Sequence, residues 1–171
     1  MKLFAKIVLG TVLAIATVVA AVLIGTRFAD GPLEMIAGGP FTSGELQSKP
    51  PADWSFMRDA ETIEFQSLEP PRSRTVWVLA HEGRMFIPCG YMNSIWGRIW
   101  KQWPVEAERD GRIITRIDGK LYNQNLVRIQ DGPILEPLLA EMSRKYAGGQ
   151  PIPVEVVTSG AFWFFEVTPR A

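Results

Sequence analysis

Apolar residues recur along this chain in three rhythms. From Ile7 to Thr26 they form a run without a charged residue, bounded by Lys2 and Lys6 before it and Arg27 after it. About 20 such residues at ~1.5 Å rise span a ~30 Å hydrocarbon core. Residues 1–27 are therefore expected to form a transmembrane anchor that meets lipid through residues 7–26. A cleaved signal peptide has a shorter apolar core, ~7–15 residues, and a small-x-small exit. The stretch Ile24–Phe28 offers no such exit. The excess of lysine before the span places the N-terminus in the cytoplasm by the positive-inside rule. For a bacterium this predicts a single-pass inner-membrane protein with its remaining chain in the periplasm.

The second rhythm is alternation. Thr62–Leu68 alternates and predicts a strand, which Glu69-Pro70-Pro71-Arg72-Ser73 then breaks. Thr75–His81 and Arg84–Cys89 predict a hairpin around Glu82-Gly83, with Cys89 across from Val76. Arg112–Ile117 and Lys120–Arg128 flank Asp118-Gly119, a strong signal for a type I′ turn. Phe162–Val167 predicts a closing strand. The third rhythm is helical. It covers Ser94–Trp103, capped by Asn93 or Ser94 and limited by Pro104, and Ile134–Tyr146, stopped by Gly148-Gly149. Asp53–Ala60 reads as a short turn or helix. The order β, ββ, α, ββ, α, β predicts an α+β, β-dominated antiparallel barrel of about six strands and two helices. Residues 28–52 hold Gly31-Pro32, Gly38-Gly39-Pro40 and Lys49-Pro50-Pro51 and read as a tether. Its Leu33, Met35, Ile36 and Phe41 predict that it packs on something. Residues 53–171 form the domain.

Charge and composition narrow the chemistry. The chain has 171 residues with 18 basic and 18 acidic side chains, so no global field favours nucleic acid. One cysteine and one histidine exclude an internal disulfide and make a Cys/His zinc site untenable. His81 and Cys89 lie at opposite ends of the predicted hairpin strand pair, roughly 15 Å or more apart at ~3.3 Å per residue, too far for a nucleophile and its base. Glu106, Glu108, Arg109, Asp110 and Arg112 read as a solvated loop whose exposed ion pairs contribute little.

Thr75–Cys89, the Trp-Lys-Gln-Trp-Pro segment at residues 100–104, Arg116–Tyr122, Lys145-Tyr146 and the closing Phe162–Arg170 together resemble the split β-barrel flavin-binding superfamily. That group includes pyridoxamine-phosphate-oxidase-like proteins and deazaflavin-dependent nitroreductases. The resemblance runs from about Thr62 to Arg170, and the anchor and tether depart from it. It implies a split-barrel fold, a homodimer, and flavin mononucleotide (FMN) or a deazaflavin as cofactor. Its phosphate would lie on Arg72, Ser73, Arg74 and Thr75, with Lys101 more distant. Guanidinium groups give bidentate phosphate contacts and hydroxyls add neutral donors. Trp77 joins this set as a neighbour of Thr75.

Two groups stay open on the residues alone. Trp96, Trp100 and Trp103 share a face that serves core packing, a wall for a flat ring, or an interfacial contact with lipid. Asn123, Gln124 and Asn125, unusual in a strand, either line a ligand cleft or mark an edge or bulge. Two functions follow. One is a membrane-anchored flavin- or deazaflavin-binding oxidoreductase. The other is a non-catalytic envelope domain for binding or assembly that keeps the barrel without cofactor.

Overall fold

The chain passes from one edge of its sheet to the opposite edge through a single residue. Strand β3 (Pro71–Trp77) is one edge, β4 (Leu79–His81) is the other, and only the fully buried Val78 lies between them. The strand order is β3-β2-β6-β7-β8-β5-β4, where β2 is Thr62–Leu68, β5 Arg84–Cys89, β6 Arg112–Ile117, β7 Lys120–Ile129 and β8 Trp163–Pro169. Laid flat, six gaps of ~4.8 Å would hold the edges about 29 Å apart. The sheet must therefore roll until its edges approach, which makes a curled antiparallel half-barrel. A short β1 (Glu45–Leu46) runs parallel to the start of β7. The structure, a computed structural model, describes residues 2–170 apart from the side chains of Trp96, Arg98 and Trp100.

Rolling gives the sheet an inside and an outside, and the alternation of each strand fills both. Phe65, Met85, Ile87, Ile113 and Phe165 fill the interior. Trp103 closes it, with ring centroids 5.2 Å from Phe65 and 5.4 Å from Phe165. Outside, Leu79, Phe86 and Phe164 are covered by the helix α4 (Leu135–Tyr146) through Leu135, Leu138, Leu139 and Met142. Each such fully buried side chain contributes about 1.5–3 kcal/mol of transfer free energy. The helix stops where Gly148 takes φ +60° and the Gly149 N–H donates to Ser143 O.

Local turn chemistry agrees with the sequence. Asp118 and Gly119 take φ +49° and +74°, setting Ile117 opposite Lys120, and Glu82 and Gly83 do the same between His81 and Arg84. Three expectations are corrected. The run Thr75–His81 is two strands: Trp77 pairs with Thr62, and only Leu79–His81 pairs with β5. Cys89 accordingly lies opposite Trp163, not Val76. Pro71 opens a strand instead of breaking one, because the first residue of an edge strand can forgo its N–H. These changes, with β1, raise the strand number from about six to eight.

The predicted helix at 94–103 also divides. In α2 (Ile95–Trp100) the Ser94 hydroxyl oxygen accepts from the Gly97 N–H at 2.8 Å. Pro104 then sits in the first turn of α3 (Trp103–Arg109), where its missing N–H costs nothing. Glu106–Arg109 is thus helical, not a loop, and Glu106 and Glu108 pair with Arg74 and Arg128. A short α5 (Glu155–Thr158) leads into β8.

Helix α1 (Lys2–Gly25) has no buried residue and, at about 36 Å, is long and apolar enough to cross a bilayer. The chain after it folds back onto the barrel. Gly38 pairs with Ser73 on the outer edge of β3, its N–H 3.0 Å from Ser73 O. The Phe41 N–H donates to Gln66 Oε1 at 2.6 Å. Asp30 accepts from the Thr42 N–H at 2.7 Å and from Arg116 Nη1 at 2.9 Å, while Arg116 Nε reaches Glu64 at 2.7 Å. Of the four apolar residues expected to pack, Phe41 does so on the Arg116 guanidinium, 4.2 Å from the ring centroid, whereas Leu33 and Met35 are exposed.

Candidate functional site

Strand β3 carries five of the seven residues implicated by resemblance, and its alternation divides them. Arg72 and Arg74 project to one side, Ser73, Thr75 and Trp77 to the other. Arg72 Nη2 donates to Ala37 O at 3.2 Å, and its Nη1 is buried with no partner among the described residues. Arg74 reaches Glu106 at 3.4 Å and the Ser67 hydroxyl at 3.4 Å. Burial pulls the pKa of Arg72 down, the charge of Arg27 pulls it further, and Glu106 opposes both. Burial does the same to Arg74, where Glu106 opposes it and Arg72 adds to it. Positive charge is in excess here, and an anion at the orphaned Nη1 would relieve it.

The other predicted residues have different surroundings. Ser73 is fully buried and its hydroxyl donates to Gly39 O at 2.5 Å. Thr75 lines a cavity of about 660 Å³ between β2, β6 and the folded-back segment. That cavity holds Asp30, Glu64 and Asp118 against the single guanidinium of Arg116, so it does not suit a phosphate. Trp77 is 43 % exposed and stacks on Tyr146 at 4.6 Å and 13°. Lys101 lies elsewhere and donates to Gly90 O at 3.1 Å. Trp103 is buried in the core against Phe65 and Phe165; Trp96 and Trp100 lie outside the described side chains. A second cavity of about 610 Å³ between α4 and residues 149–154 is lined chiefly by Leu139, Ala140, Ile152 and Val154, with Glu136 and Arg144 at its rim.

Gln124 answers the amide question differently from either expectation. It lies inside the barrel on a central strand, fully buried, and its Oε1 accepts from the Thr115 hydroxyl at 2.5 Å. Asn123 accepts from Arg170 at 2.9 Å. Cys89 is buried, and burial pushes its thiol up to about 11, an inert state. Among the described residues no cluster of three metal-ligating side chains occurs.

Sequence reasoning missed the clamp at the strand crossover. Lys145 Nζ donates to Ala60 O at 2.5 Å and Val78 O at 2.6 Å, and the Val78 N–H donates to the Tyr146 hydroxyl oxygen at 3.2 Å. It also missed Arg27 as a neighbour of Arg72. Only its place at the end of the apolar run marks it.

With the half-barrel and its basic strand in view, known proteins can be compared. No family model matches the chain, and no curated protein matches it. Among solved structures it is similar to a pyridoxamine 5′-phosphate oxidase-like protein from Listeria innocua. The identity is 16 %, over 68 % of this chain and 90 % of that one, with a TM-score of 0.47. A conserved hypothetical protein from Mycobacterium tuberculosis shows 13 % identity over 73 % and 87 % of the two chains, TM-score 0.47. An FAD-binding protein from Mesorhizobium loti shows 11 % identity over 68 % and 87 %, TM-score 0.38. At these identities the functional reading has to come from the chain's own residues.

Proposed function

We propose that this chain is a membrane-anchored domain that binds a flavin or deazaflavin and serves an oxidoreductase reaction. The observation that carries the reading is the buried, unpartnered Nη1 of Arg72 beside Arg27 and Arg74. Such an atom fits a cofactor phosphate, and Arg72 and Arg74 would hold it. Thr75 and the exposed Trp77, on the other side of the strand, are the groups left for the remainder of the cofactor. Ser73, Lys101 and Trp103 serve the fold, since their polar atoms or rings are already committed within it. When bound, the cofactor supplies hydride or electron transfer, and the protein supplies binding, orientation and exclusion of water. A cytoplasmic N-terminus and a periplasmic barrel, which the lysine bias supports, belong to the same proposal. A homodimer belongs to the same proposal.

The test is the visible spectrum of the detergent-purified full-length protein, before and after adding FMN or a deazaflavin, followed by gel filtration. Flavin bands that travel with the protein support the reading, and the elution volume reports the dimer. Arg72→Ala should weaken binding about 10-fold or more, because a hydrogen bond to a charged group contributes about 1.5–3 kcal/mol. Ser73→Ala should leave affinity unchanged. A protein that binds neither cofactor sinks the proposal.

A second reading has its own observation. Ala37 O and Gly39 O already engage Arg72 and Ser73, and Gly38 holds the β3 edge. A barrel that carries its own chain in that place would act in binding or assembly at the envelope without cofactor.

A further inference from the structure

Immediately after α1 the chain makes a small closed loop with apolar residues on its outside. Leu33 and Ile36 exchange backbone hydrogen bonds, the N–H of each donating to the carbonyl of the other at 3.0 and 2.9 Å. Between them Glu34 takes φ +50°, and Met35 stands 90 % exposed at the tip. Leu33 and Phe28 are also exposed. What is informative is that these exposed apolar side chains lie together within eight residues of one another, just beyond α1.

The neck of the loop fixes where this apolar group sits. A Cβ on Gly38 would lie 1.7 Å from Gly31 O, and one on Gly39 would lie 2.4 Å from Arg27 O and 2.7 Å from Ala29 O. Strand-like residues on both sides of the loop thus close against the first residues beyond α1. Four residues reach at most ~13 Å, so the tip stays within that distance of Gly39, which lies against Arg27 O two residues beyond α1. A headgroup layer, the difference between a ~30 Å core and a ~40–45 Å bilayer shared over two faces, is about 5–7.5 Å deep and lies inside that reach.

We infer that the Leu33–Ile36 turn, together with Phe28, docks into the headgroup layer of the bilayer that α1 enters, and so holds the barrel in one orientation on the membrane surface. The inference rests on the reading of α1 as a membrane span. The occupant is lipid because the neck of the loop, at Gly39, lies against Arg27 O and Ala29 O, the first residues beyond that span. Glu34, beside Met35, keeps the turn at headgroup level, since a carboxylate deeper in hydrocarbon is strongly disfavoured. The orientation is transmitted to the barrel because the same segment is bonded to β2, β3 and β6 through Gln66, Ser73 and Arg116.

The test uses the full chain reconstituted in phosphatidylcholine vesicles, with an environment-sensitive fluorophore on one introduced cysteine at a time. Cys89 is buried and does not compete for label. Met35→Cys reports the turn, Val12→Cys the span, and Glu155→Cys an exposed position on α5. Quenching of the Met35 label by shallow nitroxide lipids, with the Glu155 label unquenched, supports docking. A quenched Val12 label with an unquenched Met35 label overturns docking and leaves the span standing. An unquenched Val12 label overturns both.

Discussion

The Arg116 guanidinium on β6 donates to the Asp30 carboxylate at 2.9 Å, five residues beyond the end of α1. It reaches Glu64 on β2 at the same time. The segment after α1 is therefore joined to the barrel by charge and hydrogen bonds placed between distant parts of the chain. A flexible leash is a poor description of residues 28–44.

Arg116→Ala should release that segment. Arg116 is 15 % exposed and its partners about a third, so the loss lies between that of an exposed and a buried pair, about 1–3 kcal/mol. Arg116→Lys should recover little, because an ammonium cannot offer a fork to two carboxylates. Chemical denaturation in detergent and the rate of proteolysis within residues 31–44 measure it. Unchanged values for both would remove the fastening role.

The same contact sets a pH dependence. Asp30 is held well below the ordinary carboxylate range, first by the Ser43 hydroxyl and then by the Thr42 N–H; burial opposes them, and the Ser43 N–H and Arg116 help. A carboxyl whose folded pKa lies below its unfolded value of 3.8 contributes fully above that value, and the contribution is lost as pH falls below it. The stability difference between the natural protein and Asp30→Asn should thus stay flat from neutral pH down to about 5 and shrink only below about 4. A difference that fades between pH 7 and 5 would assign the effect to another group.

Gly38→Ala is expected to be worse than its size suggests. Its Cβ would meet Gly31 O at 1.7 Å and Pro32 N at 2.8 Å, both backbone atoms that cannot swing aside. Overpacking of this kind costs about 1–3 kcal/mol or more. Residues 31–44 should become protease-sensitive while the tryptophan fluorescence of the core stays native. Protection equal to that of the natural protein would show that the neck is loose.

How much of this was legible in the sequence depends on the range of the interaction. Asp118-Gly119 was legible because the turn needs φ > 0 at both positions, a demand met within two residues. The α4 stripe was legible because Leu135, Leu138, Leu139 and Met142 recur at helical spacing. The pairing of Gly38 with Ser73, and of Asp30 with Arg116, was not, because those partners are 35 and 86 residues apart and no local pattern marks either. Pro104 misled because proline ends one helix and starts another with equal ease.

The candidate site divides along the same line. That Arg72 and Arg74 stand opposite Thr75 and Trp77 follows from alternation once the strand is known to start at Pro71, which the prolines concealed. That Arg72 keeps one buried nitrogen without a partner could not, since it depends on where Ala37 O arrives. Gln124 read as a cleft or edge residue because amides are scarce in strands. Its bond to Thr115 inside the barrel is a cross-strand event that composition does not encode.

The bridge between Gly38 and Ser73 has a practical consequence for anyone preparing this protein without its anchor. An uncovered edge strand offers a row of unpaired N–H and C=O groups to any other strand it meets. A chain trimmed to residue 53, where the sequence pattern starts the domain, would bare the rim of β3 and invite edge-to-edge association between copies. Dimers or aggregates seen with such a fragment would reflect the cut. A soluble version should begin no later than Thr26, so that Asp30, Gly38 and Phe41 still close over the sheet.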